Sequence, residues 1–367
     1  MKLLQAVLVG VGPFDQLVLP FADEHAEARP VTVIHGAGGV GKSSVLAAVA
    51  STRPGHCVVM PARVEPREGA PTPFSACDWA LGQDEPERPH PLCVASPNAR
   101  TSPSDDAEAL RRREQVLFDR LAGEGGYAFL AIPSTRWFSR QPIALSAPAR
   151  TVARYDVRAS AVGDDATRAD LARETKQAIA YAAITAALSP APPGAKGRER
   201  RFDLLDAAMR SALDALLELV GVSYRGLDPL SFEPLFSSQG RDLPFDALPT
   251  QVRHLASFAA LSVRTLWAAY PDRDPRESEG VVTIDDVDLH QDAPVQQRLV
   301  SALRAALPEA QWILTTASPV LAASADARSV LALRRLRDEP SAGQGLSEGA
   351  EGAQRIVVFA GDHARTH

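Results

Sequence analysis

The stretch Gly36-Ala37-Gly38-Gly39-Val40-Gly41-Lys42-Ser43 matches the pattern G-x-x-x-x-G-K-[S/T] at every fixed position. Glycines at this spacing let consecutive backbone N–H groups converge on a phosphate, since few other residues tolerate so tight a turn. Residues 30–35 before it predict a buried parallel strand, and residues 42–50 after it predict a helix whose N-terminal dipole favours an anion. The order of strand, loop and helix predicts an α/β protein with a phosphate-binding loop.

The residues of this loop have different expected roles. We expect the Lys42 ammonium to reach the β- and γ-phosphates and to assist catalysis, and the Ser43 hydroxyl to bind Mg²⁺. The sequence therefore predicts a nucleoside triphosphate site that uses Mg²⁺. The expected nucleotide-binding residues are Gly36, Ala37, Gly38, Gly39, Val40, Gly41, Lys42, Ser43 and Ser44.

Composition limits the class of protein. With 367 residues, 45% of them hydrophobic, the chain can bury one large core or two ordinary ones. No stretch approaches the roughly 20 apolar residues that span a bilayer, and the first residues do not resemble a signal peptide, so we expect no membrane contact and a cytoplasmic location. The three cysteines form no C-x-x-C pair, which argues against a zinc site or a disulfide framework.

The charge distribution bears on nucleic-acid binding. The net charge of −6 argues against a surface that is basic everywhere, and so against strong nonspecific binding of nucleic acid. Short basic clusters at 111–113, 196–201 and 334–337 keep a local contact with nucleic acid open, although a solvated face or a linker is the favoured interpretation of each.

The residues before the phosphate loop help to distinguish between the classes of nucleotide-binding fold. Residues 3–9 and 16–20 have the alternating pattern of two strands and predict an antiparallel hairpin. Nucleoside kinases and small GTPases typically begin at the phosphate-loop strand, whereas ABC-type ATPase heads begin with such a hairpin. The hairpin therefore favours an ABC-type head.

The rest of the chain predicts an ATPase head that is divided by an insertion. Two strands are expected around Trp79 and Cys93, and a further strand is expected at 127–138. A Pro- and Gly-rich linker separates two amphipathic helices at 169–188 and 201–220. The predicted divisions are 1–155 for the N-terminal part of the head, 156–240 for a helical insertion, and 241–367 for the C-terminal part of the head.

A second motif follows in the C-terminal part. Val281-Val-Thr-Ile-Asp285-Asp286 is a short apolar strand that ends in carboxylates, and parallel sheets bind ligands at the carboxyl ends of their strands. We expect Asp285 to hold Mg²⁺ together with Ser43, and Asp286 to be the catalytic group that orients the attacking water. An ordinary strand followed by an acidic turn is the alternative interpretation.

These motifs resemble those of ABC-type ATPase heads of the SMC, RecF and OLD group, which includes AAA-annotated ATPases of bacterial anti-phage defence systems. The shared block is the acidic strand, a helix, and a second strand that ends in T-T-x-S-P, here Thr315-Thr316-Ala317-Ser318-Pro319. The hairpin, the phosphate loop and residues 241–330 carry the resemblance, and residues 60–240 match in layout only. The resemblance implies a P-loop NTPase with an ABC-ATPase-like head, ATP and Mg²⁺ as ligands, and either a homodimer or a complex with a separate effector protein.

The chain departs from this family at three places. Asp286 stands where the family has a glutamate, and Ala317 stands where it has a histidine that senses the γ-phosphate. The segment 248–253 keeps only Leu248 and Arg253 of the signature L-S-x-G-x-R that such heads present to a partner's nucleotide. Since a displacement of about 1 Å can cost roughly 100-fold in rate, we expect slow hydrolysis.

Gln141 follows the strand predicted at 127–138 and is a candidate for the family's Q-loop glutamine, which contacts Mg²⁺. A polar side chain in a surface loop is the alternative interpretation.

Two functions stay open at this stage. One is an ATP-dependent switch that dimerises or controls a separate effector, such as a nuclease or toxin in anti-phage defence. The other is an ATPase-deficient scaffold that binds the nucleotide to assemble a complex. A P-loop kinase fits poorly, because the segment between Ser43 and Asp285 is longer than that class usually needs.

Overall fold

The structure is a computed structural model, and it describes residues 1–57, 72–97, 99–121, 125–143, 145–147, 170–337 and 354–360. Its centre is a six-stranded sheet. Neighbouring strands run parallel, except that the last pair at one edge is antiparallel. In spatial order the strands are β15 (Gln354–Ala360), β14 (Val330–Arg337), β3 (Val31–His35), β13 (Ala310–Thr316), β12 (Gly280–Ile284) and β8 (Phe129–Ile132).

The central strands are buried along nearly their whole length, as expected for parallel strands that are covered on both faces. Helix α1 (Lys42–Ser51) follows β3, α6 (Ala293–Ala306) connects β12 to β13, and α7 (Pro319–Ser324) connects β13 to β14. The carboxyl ends of β3, β12 and β13 therefore meet at one edge of the sheet. These elements confirm the strands and helices predicted around the phosphate loop and around Asp285.

A second sheet, which is antiparallel, packs on α1. It consists of β2 (Phe14–Pro20), β1 (Lys2–Val11), β6 (Phe74–Ala80) and β7 (Leu92–Ala95), in that spatial order. The predicted N-terminal hairpin and the two strands predicted around Trp79 and Cys93 are thereby confirmed. The two sheets are joined by the buried Gln311 side chain, which accepts from Leu3 N at 2.6 Å and donates to Leu3 O at 2.9 Å.

Three helices pack together in the middle part of the chain: α3 (Leu171–Leu188), α4 (Arg201–Leu217) and α5 (Thr250–Ala269). A buried ion pair between Arg264 and Glu174 joins α5 to α3, and a hydrogen bond of 2.8 Å joins Thr175 to Ser257. Within the described ranges, every helix is too short or too polar to cross a bilayer.

The segment predicted as a helical insertion, 156–240, is only partly helical. Its described residues form α3 and α4, and then the strands β9 (Val222–Leu227) and β10 (Pro234–Ser238). Strand β11 (Arg241–Pro244), just after the segment, completes a three-stranded antiparallel sheet with them. Helix α4 ends at Leu217, earlier than predicted, and a short 3₁₀ turn follows it. Residues 156–169 lie outside the described part of the chain, and the predicted division boundaries stay predictions.

Other elements differ from the prediction in length. The strand predicted at 127–138 covers only Phe129–Ile132, because Pro133 has no N–H to donate and a turn follows it. Pro249 occupies the N-cap position of α5, whose first helical residue is Thr250. The remaining elements are the two-residue strands β4 (Thr52–Arg53) and β5 (His56–Cys57), and helix α2 (Asp105–Leu121), which packs on β7.

A buried histidine lies where α5 packs against the sheet. The His254 side chain is 1% exposed, and its ring centroid lies 5.0 Å from that of Phe138 and 5.2 Å from that of His290. Its ring is parallel to the Phe258 ring. Burial, followed by the nearby charges of Arg136 and His290, lowers the pKa of His254 to about 3.

Acidification is therefore expected to destabilise the fold through His254. Below a pH of about 6.5 the unfolded chain protonates this residue, while the folded protein keeps it neutral, so stability falls by up to about 1.4 kcal/mol per pH unit. The measurement is urea unfolding at two pH values, one on each side of 6.5. His254→Phe is expected to lose less stability than the wild type on acidification, and the exposed control His25→Gln is expected to behave like the wild type. An unchanged pH dependence in His254→Phe would refute this account.

Candidate functional site

The phosphate loop connects β3 to α1 in a conformation that needs its glycines. Gly39 and Gly41 have φ angles of 75° and 93°, in the left-handed region. A Cβ atom on Gly41 would lie 2.5 Å from Phe14 Cζ, and one on Gly36 would lie 2.7 Å from Leu333 O. The tip of the hairpin and β14 therefore hold the loop from two sides. Val40, which is 2% exposed, anchors its middle in the core.

The Lys42 side chain is held against the loop. It is 7% exposed, and its Nζ donates to Gly36 O at 2.8 Å and to Ala37 O at 3.0 Å. The loop's outer side carries a second cation, since the exposed Arg335 side chain donates to Gly39 O at 2.7 Å. Of these two cationic side chains, that of Lys42 lines the pocket described below.

Ser43 and Asp285 meet at the sheet edge. Ser43 Oγ donates to Asp285 Oδ2 at 2.7 Å, and Thr315 Oγ1 donates to Asp285 Oδ1 at 2.6 Å. Asp285 is 1% exposed, so both of its oxygens are used inside the protein. The structure thus brings into direct contact the two residues that the sequence analysis assigned to Mg²⁺, and Thr315 of β13 holds the second oxygen of Asp285.

Asp286 follows in a strained turn. Its φ of 44° is uncommon for a residue with a side chain, and such strain concentrates at functional sites. Asp286 N donates to Thr315 Oγ1 at 2.7 Å, which fixes the backbone beside Asp285. Burial, and then repulsion from Asp285, raises the pKa of the Asp286 carboxyl, while Lys42 opposes the shift. We call residues 285–290 the acidic turn.

A cavity of about 590 Å³ opens between the phosphate loop, the acidic turn and the tip of the hairpin, and we call it the phosphate-loop pocket. Most of the predicted site residues line it. Its lining residues are Gly12, Pro13, Gly38, Gly39, Gly41, Lys42, Ser43, Ser44, Asp286, Asp288, Leu289 and Ala317.

Some of these residues were missed by the sequence analysis. Gly12 and Pro13 lie in the connection between the two strands of the predicted hairpin and had no predicted role, although the turn Gly-Pro-Phe ahead of a phosphate-loop motif could have suggested contact. Asp288, two residues after Asp286, had no predicted role, and in the structure it accepts a hydrogen bond from Thr316 Oγ1. Arg136, which also had no predicted role, does not line the pocket but lies beside the acidic turn and is 6% exposed.

Gln141, predicted to contact Mg²⁺, is not among the residues that line the phosphate-loop pocket. Its side chain is exposed, and its backbone carbonyl accepts from Nζ of the buried Lys176. Lys176 also pairs with Glu233 at 3.1 Å and Asp246 at 3.0 Å. In this structure the backbone of Gln141 therefore belongs to a partly buried ion cluster in the middle part of the chain.

The signature-like segment also lies away from this pocket. Leu248 is buried, whereas the Arg253 guanidinium lies over the Phe138 ring at 5.1 Å and donates to Thr250 Oγ1 at 3.2 Å. Neither residue lines the phosphate-loop pocket of its own chain. His35, next to the loop, is half-buried, and burial and Lys42 lower the pKa of its imidazole.

The residues present fit a Mg²⁺-nucleotide. Among the described residues no group of three or more His, Cys, Asp or Glu could hold a metal ion by itself. Ser43 and Asp285 offer one hydroxyl and one carboxylate, and Mg²⁺ is commonly bound by one or two protein oxygens together with phosphates and water. A Cβ atom on Gly38 would meet nothing within 4 Å, so the loop leaves open space at the pocket side.

Comparison with known proteins supports the fold. No model of a known protein family matches the chain. An SMC head bound to the C-winged helix domain of ScpA has a TM-score of 0.51 and 14% sequence identity, with 98% of each chain covered. An Smc head domain with an extended coiled coil, bound to the C-terminal domain of ScpA from Pyrococcus furiosus, has a TM-score of 0.50 and 14% identity, with 98% of this chain and 96% of that chain covered. The predicted fold, that of an ABC-type ATPase head, is confirmed; at this identity the likeness concerns the fold alone.

The glycine geometry of the phosphate loop can be tested through stability, without a nucleotide. Gly41→Ala is expected to lower the free energy of unfolding by at least about 1–2 kcal/mol, because it places a side chain in the left-handed region and against Phe14. Gly38→Ala has free space and is the matched control, with an expected change within about 0.5 kcal/mol. Urea unfolding measures both variants, and equal stabilities would show that the loop does not have this conformation.

Proposed function

We propose that this chain is a Mg-ATP-binding ABC-type ATPase subunit that hydrolyses ATP slowly and acts as an ATP-dependent switch. The observation that carries the proposal is the hydrogen bond of 2.7 Å between Ser43, which lines the phosphate-loop pocket together with Lys42, and the buried Asp285 directly behind it. These three residues belong to two motifs far apart in the sequence, and the fold places them at one edge of a parallel sheet. That position is where such sheets bind nucleotides.

Each residue of the pocket has a chemical role in this proposal. Lys42 neutralises phosphate charge, and the phosphate-loop N–H groups hold the β-phosphate. Ser43 and Asp285 hold Mg²⁺, which when bound neutralises charge on the β- and γ-phosphates. Asp286 is the group that orients the attacking water and accepts its proton. The raised pKa of Asp286 suits a group that exchanges a proton.

Two features of the pocket explain why we expect slow turnover. Asp286 is one methylene shorter than glutamate, so its carboxylate reaches less far into the pocket. Ala317 lines the pocket and offers only a methyl group where a hydrogen-bonding side chain could contact the γ-phosphate. Both features weaken interactions that would be specific to the transition state while leaving the binding groups in place.

A switch requires a partner that reads the nucleotide state. The neighbours of similar fold were solved with ScpA domains bound, which supports the proposal that this chain also associates with other proteins. We propose either a homodimer, with Arg253 of one chain near the nucleotide of the other, or a complex with a separate effector. A nuclease or toxin in bacterial anti-phage defence is the effector that the sequence resemblance favours, in a cytoplasmic setting.

The second candidate function is an ATPase-deficient scaffold, in which the nucleotide serves assembly alone. The observation that favours the scaffold is that Ala317 and Asp286 both line the pocket, where the family has a histidine and a glutamate. The two functions share one binding site and differ in turnover, so the same preparations distinguish them.

Lys42→Ala is expected to weaken Mg-ATP binding by at least about 100-fold, because it removes the buried cation that faces the phosphates. Isothermal titration calorimetry with Mg-ATP measures the loss. Lys196→Ala, which removes an exposed lysine of the linker before α4, is the control and is expected to bind like the wild type. Unchanged affinity in Lys42→Ala would refute the site assignment.

Asp286→Asn is expected to lower the rate of ATP hydrolysis by about 100-fold while leaving Mg-ATP affinity within about threefold, since it acts on the water and not on the phosphates. Single-turnover hydrolysis gives the rate, and light scattering with and without Mg-ATP gives the assembly state. Equal rates in Asp286→Asn and wild type would remove Asp286 from the mechanism. A wild type that binds and assembles but turns over no faster than Lys42→Ala would favour the scaffold.

A further inference from the structure

Arg136 is a buried cation at the edge of the site that none of the roles above uses. It follows the end of β8 and is 6% exposed. Its Nη1 donates to Asp285 O at 2.5 Å and to Pro133 O at 3.0 Å, and its Nη2 donates to Asp286 O at 2.7 Å. One guanidinium therefore contacts the backbone of both acidic residues at once.

This arrangement suits arginine alone among the cationic side chains. The guanidinium is a planar fork with several fixed donors, whereas an ammonium is a single point of charge. A fork that reaches two successive carbonyls restricts the rotation of the peptide between them. Asp286 is the residue whose left-handed φ of 44° requires such restraint.

The same guanidinium also faces helix α5. Its Cζ lies 5.4 Å from the centroid of the Phe258 ring, which is fully buried, and Phe258 is stacked with His254. His254 in turn contacts Phe138, over which Arg253 of the signature-like segment lies. Arg136 thus lies between the acidic turn and α5, the helix whose first turn belongs to the signature-like segment.

The charge of Arg136 fits this position. Burial lowers the pKa of Arg136 to about 10, and the carboxylates of Asp285, Asp286 and Asp288 oppose that shift. Arg136 stays positively charged at neutral pH and offsets part of the mutual repulsion of these three carboxylates. It hydrogen-bonds to the backbone carbonyls of Asp285 and Asp286, while the Asp285 carboxylate accepts its hydrogen bonds from Ser43 and Thr315.

We propose that Arg136 is a positioning residue that holds the acidic turn in the conformation in which Asp286 faces the phosphate-loop pocket, and that it links this turn to α5. The proposal rests on the proposed ATPase function for its consequence in turnover. The structural part of the proposal, that Arg136 holds the backbone of the acidic turn, does not depend on a nucleotide.

Arg136→Lys keeps the charge and loses the fork, so it is the decisive variant. We expect its kcat for Mg-ATP hydrolysis to fall about tenfold or more, with KM within about threefold of the wild type, because only the orientation of Asp286 is disturbed. Without nucleotide, we expect faster hydrogen exchange at the Val287 and Leu289 amides, which donate within and beside the acidic turn. Arg136→Gln, which lacks the charge as well, is expected to show both effects more strongly.

Arg111→Lys is the matched control, because Arg111 is a similarly buried arginine that holds Glu108 and Gln115 on α2. It is expected to change neither kcat nor exchange in the acidic turn. If the Val287 and Leu289 amides of Arg136→Lys exchange as slowly as in the wild type, Arg136 does not hold the acidic turn. Faster exchange with an unchanged kcat, or a rise in KM that matches the fall in kcat, would overturn the positioning role. A wild type that does not bind Mg-ATP would refute the proposed function, while the exchange result still decides whether Arg136 holds the turn.

Discussion

The hydrogen bond between Ser43 and Asp285 is the interaction on which the account of the site depends. It joins the first turn of α1 to the end of β12, and these two elements are far apart in the sequence. The bond forms because β13 lies between β3 and β12 in a parallel sheet, so that all three strands end at one edge. Thr315 of β13 completes the arrangement by donating to the other Asp285 oxygen.

Residues outside the two motifs give the pocket its shape. The hairpin tip contributes Gly12 and Pro13 to its wall, and Gln311 joins the sheet of that hairpin to the central sheet. On the other side, Arg136 contacts the acidic turn and the buried face of α5. In the proposed function, Lys42, Ser43 and Asp285 bind Mg-ATP, whereas Asp286 and Ala317 provide weaker contacts for the reaction at the γ-phosphate. Strong binding and slow turnover are therefore expected together.

The motifs could be predicted from the sequence because they are local. Residues 36–43 specify their own turn through glycine, and the strand before Asp285 is an unbroken apolar run. The contacts of Arg136 could not be predicted, since its partners are backbone carbonyls that carry no sequence signal. The three-stranded sheet after α4 was missed for a related reason: its strands are short and only partly buried, so their alternation is weak. Gln141 is a different case: its assignment came from its position in a family pattern and stays a prediction, and its exposed side chain does not line the phosphate-loop pocket.

The most direct test of the central claim is the effect of Mg²⁺ on ATP affinity, measured by calorimetry in the wild type and in Asp285→Asn. If Ser43 and Asp285 hold the metal beside the phosphates, the wild type binds ATP at least about tenfold more tightly with Mg²⁺ than without it, and Asp285→Asn loses most of that difference. A matched unfolding curve shows that the variant is folded. The same Mg²⁺ effect in both proteins, or no Mg²⁺ effect in the wild type, would contradict the account.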